Sequence, residues 1–162
     1  MIFKKFFTPI FFYHLFLFFT FSISMNNSFS MLYVNIFFYV LFHILIIYLA
    51  FYYFHYFLYF VYLFYGIFID YLLLNQIGPH LIVFIFLIFF VSQFQKILIN
   101  VRSNRILFLI IGTMYLMFLT EMILTELIAN YNFDYMRLIQ LFIIGTLIIY
   151  PIMILFSKIE KF

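Results

Sequence analysis

Neither cysteine nor tryptophan occurs in this chain of 162 residues, and alanine occurs only at Ala50 and Ala129. Without cysteine there is no disulfide framework, no thiolate nucleophile and no thiolate metal site. Charge is also scarce. Only 8% of the residues are Asp, Glu, Lys or Arg, against roughly 25% in a soluble domain that must face water over most of its surface. The run from Phe6 to Ile69 holds none of the four. A chain that is 70% hydrophobic cannot solvate a globular exterior, so the sequence reads as an all-α, polytopic membrane protein. Its length suits a single transmembrane bundle over residues 1–162, with no separate soluble domain.

Other absences narrow the chemistry. There is no P-loop, GxGxxG or GxSxG pattern, and the four histidines, His14, His43, His55 and His80, show no HxxxH or HExxH spacing. Phosphate cradling, serine hydrolysis and metal binding on one helical face therefore lack their usual frameworks, and no cofactor is expected. Eight basic residues in all offer no basic face for nucleic acid. No stretch of 20–50 residues repeats. The 30 Phe and 15 Tyr belong to a composition that favours AT-rich codons, and the Phe stripes are expected to be lipid-facing filler.

What remains is a set of apolar runs. A helix needs about 20 apolar residues to cross the hydrocarbon core, and cutting the chain at polar clusters gives six spans, at roughly 6–23, 31–49, 52–70, 80–95, 106–128 and 137–156. The break near 49–52 is the weakest, marked only by tyrosines and a histidine. Length decides it, because the 40 residues from 31 to 70 would make a helix of about 60 Å at 1.5 Å per residue, enough for two crossings. With both termini in the cytoplasm, seven of the eight basic residues fall inside and Arg137 alone outside, where Asp70, Glu121, Glu126 and Asp134 also lie. The positive-inside rule selects this orientation. The start "MIFKKFF" and the ending "SIS" at 22–24 resemble a signal peptide, but the apolar run exceeds the 7–15 residues usual for one, so an uncleaved first helix is expected.

Two of the four glycines and the first acid of the chain share the stretch "YGIFIDYLLLNQIGPHL", residues 65–81. Gly66 precedes Asp70 by one helical turn on the same face, and small residues there let another helix approach closely. Gly78 and Pro79 stop the chain and restart it, since Pro is tolerated in the first turn of a helix, and His80 at that start could reach back to Asp70. Three roles are open to Asp70: a wetted interfacial residue, a buried polar clamp, or a proton-carrying group. Glu121, Glu126, Asp134 and Arg137 form a possible outer polar cluster in which Arg137, the only outer base, pairs with one of the acids.

The pattern Gly66-x3-Asp70-x7-Gly78-x-His80, at the end of one transmembrane helix and the start of the next, resembles the signature of the MreD family, rod-shape-determining membrane proteins of bacteria. The family line reads like "GLLLDLLSGSPLGLHAL", and this chain has "GIFIDYLLLNQIGPHLI" at 66–82. The family's aromatic-Pro pair in the last helix, with a short basic tail, corresponds to Tyr150 and Pro151 in "YPIMILFSKIEKF". The likeness is specific in the motif and loose elsewhere, and Pro79 departs from it. It implies a non-enzymatic component of the cell-wall elongation machinery in the bacterial plasma membrane. The partners it implies are an MreC-like protein, with MreB, RodA and a class B penicillin-binding transpeptidase nearby. Two rival readings stand beside it: the substrate-binding membrane subunit of an energy-coupling-factor vitamin transporter, and an organelle-encoded subunit of a respiratory complex.

Overall fold

The structure, a computed structural model, describes residues 2–25, 32–98, 103–130, 132 and 134–159. They form six helices: α1 (Ile2–Met25), α2 (Leu32–Tyr52), α3 (Phe57–Leu74), α4 (Pro79–Leu98), α5 (Ser103–Ala129) and α6 (Tyr135–Ile159). Four of them carry stretches long and apolar enough to cross a bilayer: Val34–Tyr52, Phe57–Leu74, Ile106–Ala129 and Tyr135–Phe156. In α1 and α4 the apolar stretches among the described residues are shorter, Phe12–Ile23 and Pro79–Phe94. The architecture is thus an all-helical, membrane-type bundle. Of the groups that carry the expected sidedness, Arg102, Glu160 and Lys161 lie outside the described residues, as does the loop at 26–31.

The helices start and end a few residues away from the expected spans, and two of these shifts bear on the site. The break between α2 and α3 falls at 53–56, beyond the expected 49–52, because Tyr53 N–H still donates to the Leu49 carbonyl at 3.0 Å. His55 then receives the Phe57 N–H on Nδ1 at 3.2 Å and starts α3. The far end of α3 is later too. It runs to Leu74 and closes at Asn75, whose left-handed backbone (φ 52°) turns its N–H onto the Tyr71 carbonyl, the αL way of ending a helix. Asp70 therefore sits one turn inside α3, and the connection to α4 is only 75–78.

α2 is the centre of the bundle. Val40 to Ala50 are all buried, and α2 packs against α1, α4, α5 and α6, while α3 joins α1 to α4 and α5 joins α4 to α6. The other five helices thus surround it. Between α1 and α6 they leave a groove of about 320 Å³ floored by Phe37 and Leu41 of α2 and walled by Phe16, Leu147, Pro151 and Phe156 among others.

Aromatic side chains divide between two environments. Phe12, Phe18, Phe60, Phe86 and Phe108 are exposed, as filler facing lipid would be. Phe42, Phe84, Phe118 and Phe156 are fully buried, so for them the filler reading is corrected. They build the core through tilted and edge-on ring contacts, such as Tyr13 to Phe156 at 5.2 Å and Phe42 to Tyr65 at 5.6 Å, the arrangements that aromatic quadrupoles favour.

Candidate functional site: a buried polar chain

The hairpin of α3 and α4 is joined at its tip by one carboxylate. Every helix begins with N–H groups that have no partner in the helix itself, and where that start is buried, as at Gly78 to His80, they need a partner from the protein. At the start of α4 these are the N–H groups of Gly78, His80 and Leu81, since Pro79 has none. Asp70 takes all three: Gly78 N–H on Oδ2 at 2.8 Å, His80 N–H on Oδ1 at 2.9 Å and Leu81 N–H on Oδ2 at 3.1 Å. It acts as the N-cap of α4 from the preceding helix, with its charge at the positive end of the α4 dipole. The His80 ring adds a fourth contact, Nδ1 to Oδ1 at 2.7 Å.

Gly66 makes that reach possible. A Cβ at Gly66 would stand 2.6 Å from Leu81 Cα and 3.0 Å from Leu81 N, so α3 and α4 touch backbone to backbone one turn below the carboxylate. Gly78 is less constrained, as its nearest neighbours would be side-chain atoms of Ile128 at 3.2 Å.

From His80 a line of hydrogen bonds crosses the bundle. His80 Nε2 lies 2.9 Å from Tyr39 Oη, which lies 3.0 Å from Glu121 Oε2. Glu121 Oε1 meets His43 Nε2 at 2.9 Å, and His43 Nδ1 meets the Tyr39 carbonyl at 2.8 Å. Asp70, His80, Glu121 and His43 are all buried. The five side chains come from four helices, α3, α4, α2 and α5, and hold their interior register through polar contacts that a greasy core cannot supply.

The residues singled out in the sequence separate into groups. Gly66, Asp70, Gly78, Pro79 and His80 come together in the joint. Glu121 joins the chain through Tyr39 and His43 and not through Arg137. The outer cluster does not form as a unit: Glu126, Asp134 and Arg137 are exposed, and Arg137 meets Asp134 through its backbone N–H, at 3.1 Å. Tyr150 and Pro151 lie on the exposed side of α6. Tyr39 was not singled out in the sequence, and His43 was noted without a partner. His43 is the one histidine of α2, whereas nothing sets Tyr39 apart from the other aromatic residues of that helix.

Chemically, the chain can hold and exchange protons. No group of three or more metal-ligating side chains occurs among the described residues, and the groove between α1 and α6 is lined by apolar residues. Comparison with known families, with curated proteins and with solved structures finds no match.

Proposed function

We propose that this chain is a non-enzymatic, six-span component of the bacterial plasma membrane, with both termini in the cytoplasm, related to the MreD proteins of the wall-elongation machinery. The observation that carries the reading is the joint itself. The four positions of the signature, Gly66, Asp70, Gly78 and His80, serve one purpose, a tight α3–α4 hairpin capped by a buried carboxylate. A motif spent on the shape of the bundle suits a protein that works by presenting helix faces.

The face best suited for a partner is on α6. Met136, Ile139, Ile143, Leu147 and Tyr150 are more than half exposed and follow one another at three- and four-residue spacing, so they form a single stripe. That stripe ends beside the Tyr150–Pro151 pair. Gly66, by contrast, is occupied by α4 of the same chain and is left to intramolecular packing. In a membrane such contacts are driven by fit between helices, since lipid is as apolar as the side chains. An MreC-like membrane protein is the proposed partner.

Depletion of the protein in its native cell, followed by microscopy, tests the proposal. Rods becoming round, together with co-purification of an MreC-like protein, is the expected result. A growth defect cured by a single vitamin, with cell shape unchanged, would replace this reading with transport.

A further inference from the structure

The buried chain can be counted proton by proton. Nδ1 of each histidine faces an oxygen that only accepts: the Asp70 carboxylate for His80 and the Tyr39 carbonyl for His43. Both rings are therefore protonated at Nδ1. Asp70 receives three backbone N–H groups on its two oxygens at the positive end of the α4 dipole, an environment that favours the ionised carboxylate independently of the His80 ring. Three contacts remain, His80–Tyr39, Tyr39–Glu121 and Glu121–His43, and each holds one proton.

With Tyr39 neutral, those three protons can be placed in only a few ways, and each gives the five groups a total charge of zero. In one, His80 is an imidazolium donating to Tyr39, Tyr39 donates to Glu121 Oε2, and protonated Oε1 donates to neutral His43. In another, His43 is the imidazolium, Glu121 donates from Oε2 to Tyr39, and Tyr39 donates to neutral His80. A third, with both rings charged and Glu121 ionised, connects them. The chain is thus neutral as a whole, which a bilayer interior demands, yet the charge balancing Asp70 has two places to rest.

We propose that Asp70, His80, Tyr39, Glu121 and His43 form a proton relay that carries one positive charge between His80 at the α3–α4 joint and His43 in the middle of α2. The Glu121 Oε1 proton passes to His43 Nε2. The His80 Nε2 proton then passes to Tyr39 Oη as the Tyr39 proton passes to Glu121 Oε2. Three bonds to hydrogen break and three form, Tyr39 is neutral before and after, and nothing is oxidised or reduced. The rings of Phe42, Phe84 and Phe118 lie 5.6, 5.6 and 5.1 Å from that of His43, an apolar wall that makes His43 the terminus. Besides the His80 and His43 rings that touch it, the charged groups acting on the central Tyr39 include Glu121 on α5, Asp70 on α3 and Arg137 at the start of α6.

The test is ¹⁵N NMR of histidine-labelled full-length protein in lipid nanodiscs at pH 7, in a His14→Gln, His55→Gln background that leaves only the two rings of the relay. Both Nδ1 atoms should be protonated and both Nε2 signals averaged between the protonated and bare positions. Glu121→Gln preserves a donor and an acceptor in place, but an amide cannot pass a proton through. The averaging should then be lost, with one ring fully charged and the other neutral. Tyr39→Phe gives a second check. In the parent protein, titrating one ring should displace the signal of the other, and that coupling should vanish in the variant. A charge fixed on one ring or on both in the parent, two neutral rings, or titration curves unchanged by Tyr39→Phe would overturn the relay.

Discussion

Gly66 and Leu81 approach so closely that a single methyl group on Gly66 would lie 2.6 Å from Leu81 Cα. The obstacle is backbone, which cannot swing aside. Gly66→Ala should therefore force α3 and α4 apart, at a cost of about 1–3 kcal/mol, the usual range for overpacking. Gly145→Ala meets the flexible end of Met114, at 2.5 Å from Cε, and should cost less. Gly112→Ala meets nothing within 4 Å and should be neutral or slightly stabilising, since Ala is the better helix former. Thermal unfolding of the three variants in one detergent checks the order, and Gly66→Ala matching Gly112→Ala would refute the close contact.

Asp70→Asn exchanges an acceptor-only group for one with a single acceptor oxygen and a donor amide. Four donors now compete for that oxygen, and buried N–H groups at the start of α4 lose their partner. Breaking a buried charged pair from one side costs about 3–5 kcal/mol, so the variant should be severely destabilised or fail to accumulate. Pulse proteolysis in detergent would measure the loss.

Asp134 and Arg137 should behave differently from each other. Asp134 Oδ1 accepts the Arg137 N–H at 3.1 Å, three residues into the start of α6, as an N-cap does. Asp134→Ala should cost about 0.5–2 kcal/mol. The Arg137 side chain is exposed, and Arg137→Gln should stay within about 0.5 kcal/mol of the parent. Equal destabilisation of the two variants in a thermal melt would contradict the assignment.

The exposed stripe of α6 gives a prediction that leaves stability aside. Leu147→Ala with Tyr150→Ala removes two side chains that are 71% and 62% exposed, so the isolated protein should melt as before. If the proposed MreC-like partner docks there, its recovery in pull-downs from native membranes should fall at least tenfold, equivalent to about 1.4 kcal/mol of binding. Full recovery would move the partner to another face.

The joint was legible in the sequence because its parts are close together in the chain and chemically rare there. One acid after a long uncharged run, with glycines at fixed spacings on either side, marks a joint, while its role there, capping the start of α4, is shown only by the structure. The extent of α3 was misjudged because a left-handed Asn75 ends it, and an apolar run gives no sign of where such a turn will come. The Glu121–His43 pair was harder to see. Its members are 78 residues apart, and sequence pattern reports which face a residue lies on but not which distant helix it meets. Tyr39 had no distinction among 15 tyrosines until the fold placed it between two ionisable groups.

Because α2 is sheathed by the other helices and apolar on nearly every side, its aliphatic residues would be equally at ease at any angle of rotation about its own axis. Tyr39 and His43, one turn apart, break that indifference. They are the keyway of the central helix, and removing both would leave the bundle with a core that is still greasy enough to assemble but free to settle at the wrong azimuth.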